Sequence, residues 1–171
     1  MSHMLPRDPG HLGRDTPSEP GPIRDPRPIS DHVRQRFRRQ RVRDTAPEVA
    51  LRRALHALGL RYRVDHPVLP GLRRRADVVF RRRRIAVFVD GCFWHRCPQH
   101  AVPPKNNADW WARKLQRTVD RDRDTDQRLR AAGWVPVRVW EHELPEEAAA
   151  RICDLVKAGS ASTTPGDDHR K

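Results

Sequence analysis

The sequence predicts a mixed β-sheet with helices packed against it, a fold of the α/β or α+β class. Three observations carry this reading. An amphipathic helical stretch, "DTAPEVALRRALHALGL", opens the folded part. Three strand-like runs follow in quick succession, "RYRVDHPVL", "ADVVF" and "RIAVFVD". A long polar helix and a fourth run, "WVPVRVW", come next, before a final short helix.

From Met1 to about residue 40 the chain is rich in proline, with Pro6, Pro9, Pro17, Pro20, Pro22, Pro26 and Pro28 among Gly, Asp and Arg, and it lacks apolar periodicity. Such a segment cannot bury enough apolar surface to offset its ordering entropy, so disorder is expected over residues 1–40. Its end, "RQRFRRQRVR", carries six arginines, Arg36, Arg38 and Arg39 among them, and forms a basic arm. The folded domain is expected over residues 41–158. In its first helix Thr45 and Glu48 stand at capping-box spacing, Leu51, Ala54, Leu55 and Leu58 repeat at helical period, and Gly59 follows. "PGLRRR" reads as a turn between the first two strands, which begin a β-meander. "RIAVFVD" is apolar on both faces and is therefore central. Asn106 or Asn107 can cap a helix from about Asp109 to Ala132, which Gly133 ends. A last helix is expected from about Pro145 to Ala158, with Cys153 as a small core residue, and a free tail over residues 159–171.

Lys and Arg number 35 against 22 Asp and Glu, a formal net charge of +13. That balance suits a polyanionic partner, nucleic acid first, rather than a small neutral substrate. No apolar run approaches a membrane span, and the N-terminus lacks the apolar core of a signal peptide, so a cytoplasmic protein is expected. Three cysteines are too few for a secreted disulfide scaffold, which favours metal binding by Cys and His.

The chemistry is concentrated in "VFVDGCFWHRCPQH". Cys92, Cys97 and His100, with His142 beyond the last strand, supply four ligands of the kind that Zn²⁺ takes in a tetrahedron, and a structural zinc would hold an irregular loop that has no core of its own. His95 lies inside the loop and could ligate in place of His100. Phe93 and Trp94 are bracketed by these ligands; either they fold inward, or they are held out as a wedge between base pairs, with Trp110 and Trp111 adding to it. A hairpin brings Asp77 near the end of the strand that carries Val89 and Asp90, where side chains and carbonyls could share a hard cation such as Mg²⁺. The plainer reading of Asp77 is an ion pair with Arg73, Arg74 or Arg75. Glu48 has a complete structural explanation as the capping partner of Thr45.

Together, "RDTAPEVALRRALHALGLRYRVD", "LPGLRRRADVVF", "IAVFVDGCFWHRCPQH" and "NNADWWARKLQRTVDRDRDTDQRLRAAGWVPVRVWEHEL" resemble the very short patch repair (Vsr) DNA mismatch endonucleases. The resemblance implies an α/β, restriction-endonuclease-like fold with a structural zinc. It also implies a Mg²⁺-dependent nick 5′ to the thymine of a T·G mismatch left by 5-methylcytosine deamination. By position, Asp77 matches the Mg²⁺-binding aspartate, Val89 the residue that offers its main-chain carbonyl to that metal, and His95 the catalytic histidine. Glu48 matches the acidic residue of the first helix beside the metal cluster. Phe93, Trp94 and Trp111 match the intercalating aromatics, and Cys92, Cys97 and His142 the zinc positions, His142 where cysteine is frequent. Two departures stand out. The second and third zinc ligands are Cys97 and then His100, where the best-known members have a histidine and then a cysteine, and Asp90 occupies the place of a second active-site histidine. The implied partners are mismatched duplex DNA, contacted also by Arg36, Arg38 and Arg39, and, functionally, a cytosine methyltransferase; a monomer is expected. Two rivals remain: an endonuclease of the same fold acting on matched DNA, and a zinc DNA-binding module without catalysis.

Overall fold

In the computed structural model, which describes residues 43–161, each helix and strand can be traced to a local sequence cause. Helix α1 spans Ala46–Ala57 and ends in a Schellman turn: Gly59 at φ 74° lets its N–H reach the His56 carbonyl and the Leu60 N–H reach that of Leu55. The capping box at the other end takes a different form from the one expected. Thr45 is the N-cap but makes no side-chain cap; its hydroxyl donates to Glu48 Oε1 at 2.8 Å, and Glu48 Oε2 accepts the N–H of Asp44 at 2.9 Å. Glu48 thus reaches one residue further back and takes both donors, which a carboxylate with two oxygens can do.

Strands β1 (Arg63–Pro67), β2 (Arg75–Phe80) and β3 (Ile85–Asp90) form the expected meander, with a single 3₁₀ turn at Arg81–Arg83 joining the last two. β1 is shorter than its apolar run suggested, because the chain leaves the ladder at Pro67 and turns through Gly71 at φ 75°. Helix α2 (Ala108–Ala131) crosses over to β4 (Val135–Trp140), which pairs parallel with β3, as a helical crossover permits. The sheet order is β1-β2-β3-β4, so β3, whose residues are nearly all buried, takes an interior position.

The two faces of this mixed sheet are covered differently. On one, Val78, Phe80, Ile85, Val87, Val137 and Val139 pack against Leu51 and Leu55 of α1 and Ala148, Ala149 and Ile152 of α3 (Pro145–Ala161). Full burial of side chains the size of Leu51, Leu55 and Ile152 contributes about 1.5–3 kcal/mol each. On the other face Ala76, Val79, Ala86 and Phe88 meet Leu129 of α2. That helix buries only Leu115, Thr125 and Leu129, so ion pairs hold much of it in place. Asn107 begins α2 at φ 53° without a side-chain cap, tolerated because asparagine accepts the left-handed region, and Gly133 closes it in a second Schellman turn.

Cys153 is buried on α3, as its place in the apolar face suggested. The helix itself continues past Ala158 to Ala161, because Gly159 is not a stop here: its carbonyl accepts Arg83 Nη1 at 3.2 Å. The expected disorder of residues 1–40 and of the tail beyond Ala161, and the DNA contacts of Arg36, Arg38 and Arg39, lie outside the described residues. No helix among the described residues is long and apolar enough to cross a membrane.

Candidate active site and metal centre

The C-terminal ends of β3 and β4 and the start of β2 converge at one end of the sheet. The β2–β3 ladder closes at Val78↔Val87, and just beyond it the Asp77 carboxylate takes the main-chain N–H of Val89 at 2.7 Å. Asp90, one residue on, sends its carbonyl to the N–H of Glu141 after β4. Successive strand residues face opposite neighbours, and the N–H and C=O of one residue face the same way, so the Val89 carbonyl is directed toward the Asp77 side.

Asp77 is not the partner of the neighbouring arginines. Arg75 pairs with Asp65 at 2.8 Å, and Arg74 crosses to Asp124 of α2 at 2.6 Å. The β1–β2 register puts Asp65 opposite Asp77, and Asp65 collects Arg43 as well. Asp77 is left in an acidic setting: burial first, then the charges of Glu48, Asp90 and Asp65, push its carboxyl up to about 6 despite the Val89 hydrogen bond. A half-buried carboxyl crowded by other carboxylates, beside a main-chain carbonyl, is the donor chemistry a hard divalent cation takes. The residues therefore fit such an ion.

His95 turns away from the cysteines. Its Nδ1 lies 2.6 Å from Asp122 Oδ2 and 3.5 Å from Asp90 Oδ1, while its own backbone N–H closes the turn onto the Gly91 carbonyl. The Asp122 contact orients the ring and leaves Nε2 as the nitrogen available for proton transfer. Burial works against ionisation of Asp122, but His95, Arg138 and Arg121 outweigh it and hold the carboxyl below its usual range. Asp90 is buried, with both oxygens on Arg138 Nη1 at 2.9 and 3.1 Å, and burial still raises its carboxyl against the pull of Arg138 and His95. Arg138 also bonds Asp126 at 3.0 Å and rests on the Phe88 ring at 4.7 Å. Asp122, Asp126 and Arg138 escaped the sequence reading; the available signal was a lone arginine in an otherwise apolar strand facing a helix with acids at i, i+4.

Because Arg138 is the counter-charge of a buried aspartate, Arg138→Met is expected to destabilise the fold by about 3 kcal/mol, since removing one partner strands the other. Urea unfolding measures this. A loss below about 1 kcal/mol, the range of exposed ion pairs, would mean that water screens the cluster.

The ligand atoms of Cys92, Cys97, His100 and His142 lie within 4.8 Å of one another. The Cys92 Sγ to His142 Nδ1 distance is 3.1 Å, and Cys97 Sγ is 3.8 Å from Nδ1 of both His100 and His142. These bracket the edge of about 3.6 Å that a zinc tetrahedron with Zn–S near 2.3 Å and Zn–N near 2.0 Å would have. Burial, then Cys97 and Glu141, push the Cys92 thiol up to about 11, so a bound cation is what would make the thiolate the stable form here. The cluster thus fits a metal ion, and between the two candidate histidines it contains His100. Glu141 anchors the loop by accepting the Cys92 N–H at 2.6 Å.

Phe93, Trp94 and Trp111 meet edge to face or tilted, with centroids 5.1–6.0 Å apart, and Trp110 extends the group at 4.8 Å from Trp111. All four are only partly buried, and Lys114 places its ammonium 4.6 Å from the Trp110 ring. They form one aromatic ridge from the knuckle loop to the start of α2, with a cation beside it.

Fold and site together define an α/β protein with a group of carboxylates and a histidine at one end of the sheet, beside a Cys/His cluster. The family profile described as DNA mismatch endonuclease Vsr matches residues 30–100. The type II nicking enzyme V.NaeI of Lentzea aerocolonigenes is 44% identical over 133 residues, covering 77% of this chain and 80% of that protein. The type II nicking enzyme V.XorIIP of Xanthomonas oryzae pv. oryzae is 39% identical over 129 residues, covering 72% and 92%. The DNA mismatch endonuclease Vsr of Escherichia coli is 39% identical over 102 residues, covering 58% and 63%. The chain belongs to the Vsr family.

Proposed function

We propose that this protein is a DNA endonuclease of restriction-endonuclease-like architecture that nicks duplex DNA 5′ to the thymine of a T·G mismatch. The observation that carries the proposal is the convergence of Asp77, the Val89 main chain and the Asp122-oriented His95 at one end of the sheet. The kinship with a mismatch endonuclease and with nicking enzymes supports it.

Asp77 and the Val89 carbonyl would hold Mg²⁺, which when bound supplies Lewis-acid polarisation of the scissile phosphate. His95, fixed through Nδ1, uses Nε2 to accept a proton from the attacking water. Asp122 orients that ring, as an acid behind a catalytic histidine does. Asp90 has both oxygens on Arg138; it serves as a positioning residue that sets the electrostatics of His95 rather than as a base. Glu48, tied to the start of α1, adds negative charge on the cation side. Cys92, Cys97, His100 and His142 would hold zinc, which when bound would brace the loop that presents Phe93 and Trp94, and Trp111 would join them in the base stack. Arg36, Arg38 and Arg39 would contact phosphates. The set lies on one chain, so a monomer suffices. A T·G substrate ties the activity to a cytosine methyltransferase, and a DNA substrate implies a cytoplasmic location.

The test is single-turnover nicking of T·G, T·A and other mispaired duplexes with Mg²⁺, using wild type and Trp94→Ala. Stacking is worth about 1–3 kcal/mol per base, so Trp94→Ala is expected to slow T·G nicking by one to two orders of magnitude while a thermal melt stays unchanged. Equal cleavage of matched duplex would establish the restriction-type reading, and binding without any nicking would establish the non-catalytic one. Wild-type preference in a folded Trp94→Ala protein would place Trp94 in the core instead of the wedge.

A further inference from the structure

His95 has two carboxylates beside one ring nitrogen. Its Nδ1 lies 2.6 Å from Asp122 Oδ2 and 3.5 Å from Asp90 Oδ1. The two acids come from different elements, Asp122 from α2 and Asp90 from the end of β3. A single N–H is held well by only one of them, and the choice sets where Nε2 points, because the imidazole turns as a rigid plane.

The choice traces to Arg138 on β4. Parallel pairing sets Arg138 level with Phe88 of β3, and its guanidinium rests on the Phe88 ring at 4.7 Å. From there Nη1 donates to both oxygens of Asp90, at 2.9 and 3.1 Å. Nη2 reaches Asp126 Oδ1 at 3.0 Å and the main-chain carbonyl of Asp122 at 3.3 Å, and Nε adds a second contact to Asp126 Oδ1 at 3.3 Å. The fork therefore engages Asp90 and, in the same plane, pins the turn of α2 that carries Asp122. The second tie matters because α2 buries only Leu115, Thr125 and Leu129, so polar contacts fix where its acids stand.

We infer that Arg138 is a positioning residue for the nicking reaction: by engaging Asp90 and tying α2 to the sheet, it makes Asp122 rather than Asp90 the partner of His95 Nδ1. The inference rests on the proposed role of His95 in nicking. A lysine at this position would keep a counter-charge for Asp90, but as a single point, without the fork that spans Asp90, Asp126 and the Asp122 carbonyl. Asp90 would then compete for the ring. A misdirected Nε2 would slow proton transfer without weakening the hold on DNA.

The experiment uses the full chain and reads single-turnover nicking of a T·G duplex, affinity for that duplex, and the Nδ1–H resonance of His95 in protein with isotope-labelled histidine, assigned by its loss in His95→Gln. Arg138→Lys is expected to slow nicking about tenfold or more, to leave duplex affinity within about twofold of wild type, and to shift the His95 resonance. Adding Asp90→Asn to Arg138→Lys removes the competing charge, so the double variant is expected to recover most of the lost rate and the wild-type resonance. An arginine that only supports the fold predicts the reverse, a second loss on top of the first. Asp126→Ala cuts the tie from the α2 side and leaves Asp90 its counter-charge; it is expected to slow nicking about threefold and to shift the same resonance, and it carries the test if Arg138→Lys does not fold. A folded Arg138→Lys with wild-type rate and resonance overturns the inference, as does a double variant no faster than Arg138→Lys, or an Asp126→Ala protein whose resonance is unmoved. Wild type that binds the duplex without nicking it removes the catalytic reading instead, and the resonance shifts alone then decide whether Arg138 selects the acid.

Discussion

Asp77→Asn is expected to abolish Mg²⁺-dependent nicking and, in the same molecule, to make the metal-free protein more stable. The activity loss should reach about a thousandfold, since Lewis-acid stabilisation worth several kcal/mol disappears with the charged oxygen. The stability gain has the opposite origin. In the folded state burial and the charges of Glu48, Asp90 and Asp65 raise the Asp77 carboxyl to about 6, from an unperturbed 3.8. Ionising it therefore disfavours the fold: the penalty is absent below about pH 4, grows as pH rises through 6, and is complete above that, at most about 3 kcal/mol. Asparagine keeps an oxygen to accept the Val89 N–H and carries no charge, so it escapes the penalty. Melting temperatures of wild type and variant should coincide near pH 4 and diverge above pH 6 with Asn higher. Added Mg²⁺ should raise the wild-type value alone. A fully active variant would sink the metal-ligand assignment, and a variant that is less stable at pH 8 would sink the account of its electrostatics.

The second large effect concerns the Cys/His cluster. Protein purified without chelator should carry about one zinc per chain, and Cys97→Ser, which replaces a buried ligand, should lose it. Because such an ion would tie the loop of Cys92 to His100 to His142 after β4, its loss should cost about 3 kcal/mol or more, a fall of roughly 10 °C in melting temperature. Nicking should fall with it, as Phe93 and Trp94 lose the loop that presents them. Cys153→Ser is the control: that thiol lies on α3 outside the cluster, so metal content should not change. Elemental analysis and thermal melts decide the matter; an active preparation that contains no zinc rules out a structural ion here.

The sequence by itself determined the elements and most members of the candidate Cys/His cluster. Apolar period, Gly59 and Gly133 marked both Schellman turns, because helix termination is a local matter of which residue tolerates positive φ. The burial of β3 was legible in "RIAVFVD", where an apolar residue on both faces has nowhere to go but the interior. Cys92 and Cys97 could be picked out because ligand spacing within one loop is short-range information. Which histidine completes the cluster was not legible: His95 and His100 differ only in where the loop points them, and a 2.6 Å contact with Asp122 draws His95 away. Even the capping box, correct in its residues, took its actual geometry from how far the Glu48 side chain reaches back.

Only the tertiary structure decided the rest. Asp122 and Asp126 stand in "DRDRDTDQR", where acids and bases alternate so evenly that no single aspartate is distinguished. Parallel pairing of β3 with β4 sets Arg138 beside Asp90, and the crossover helix lays Asp122 and Asp126 over both. In the same way Arg75 chose Asp65 over Asp77 because the antiparallel register brings Asp65 within reach, and that choice left Asp77 unneutralised. Charge pairing acts at a few ångströms between residues far apart in sequence, and chain order alone does not specify those distances.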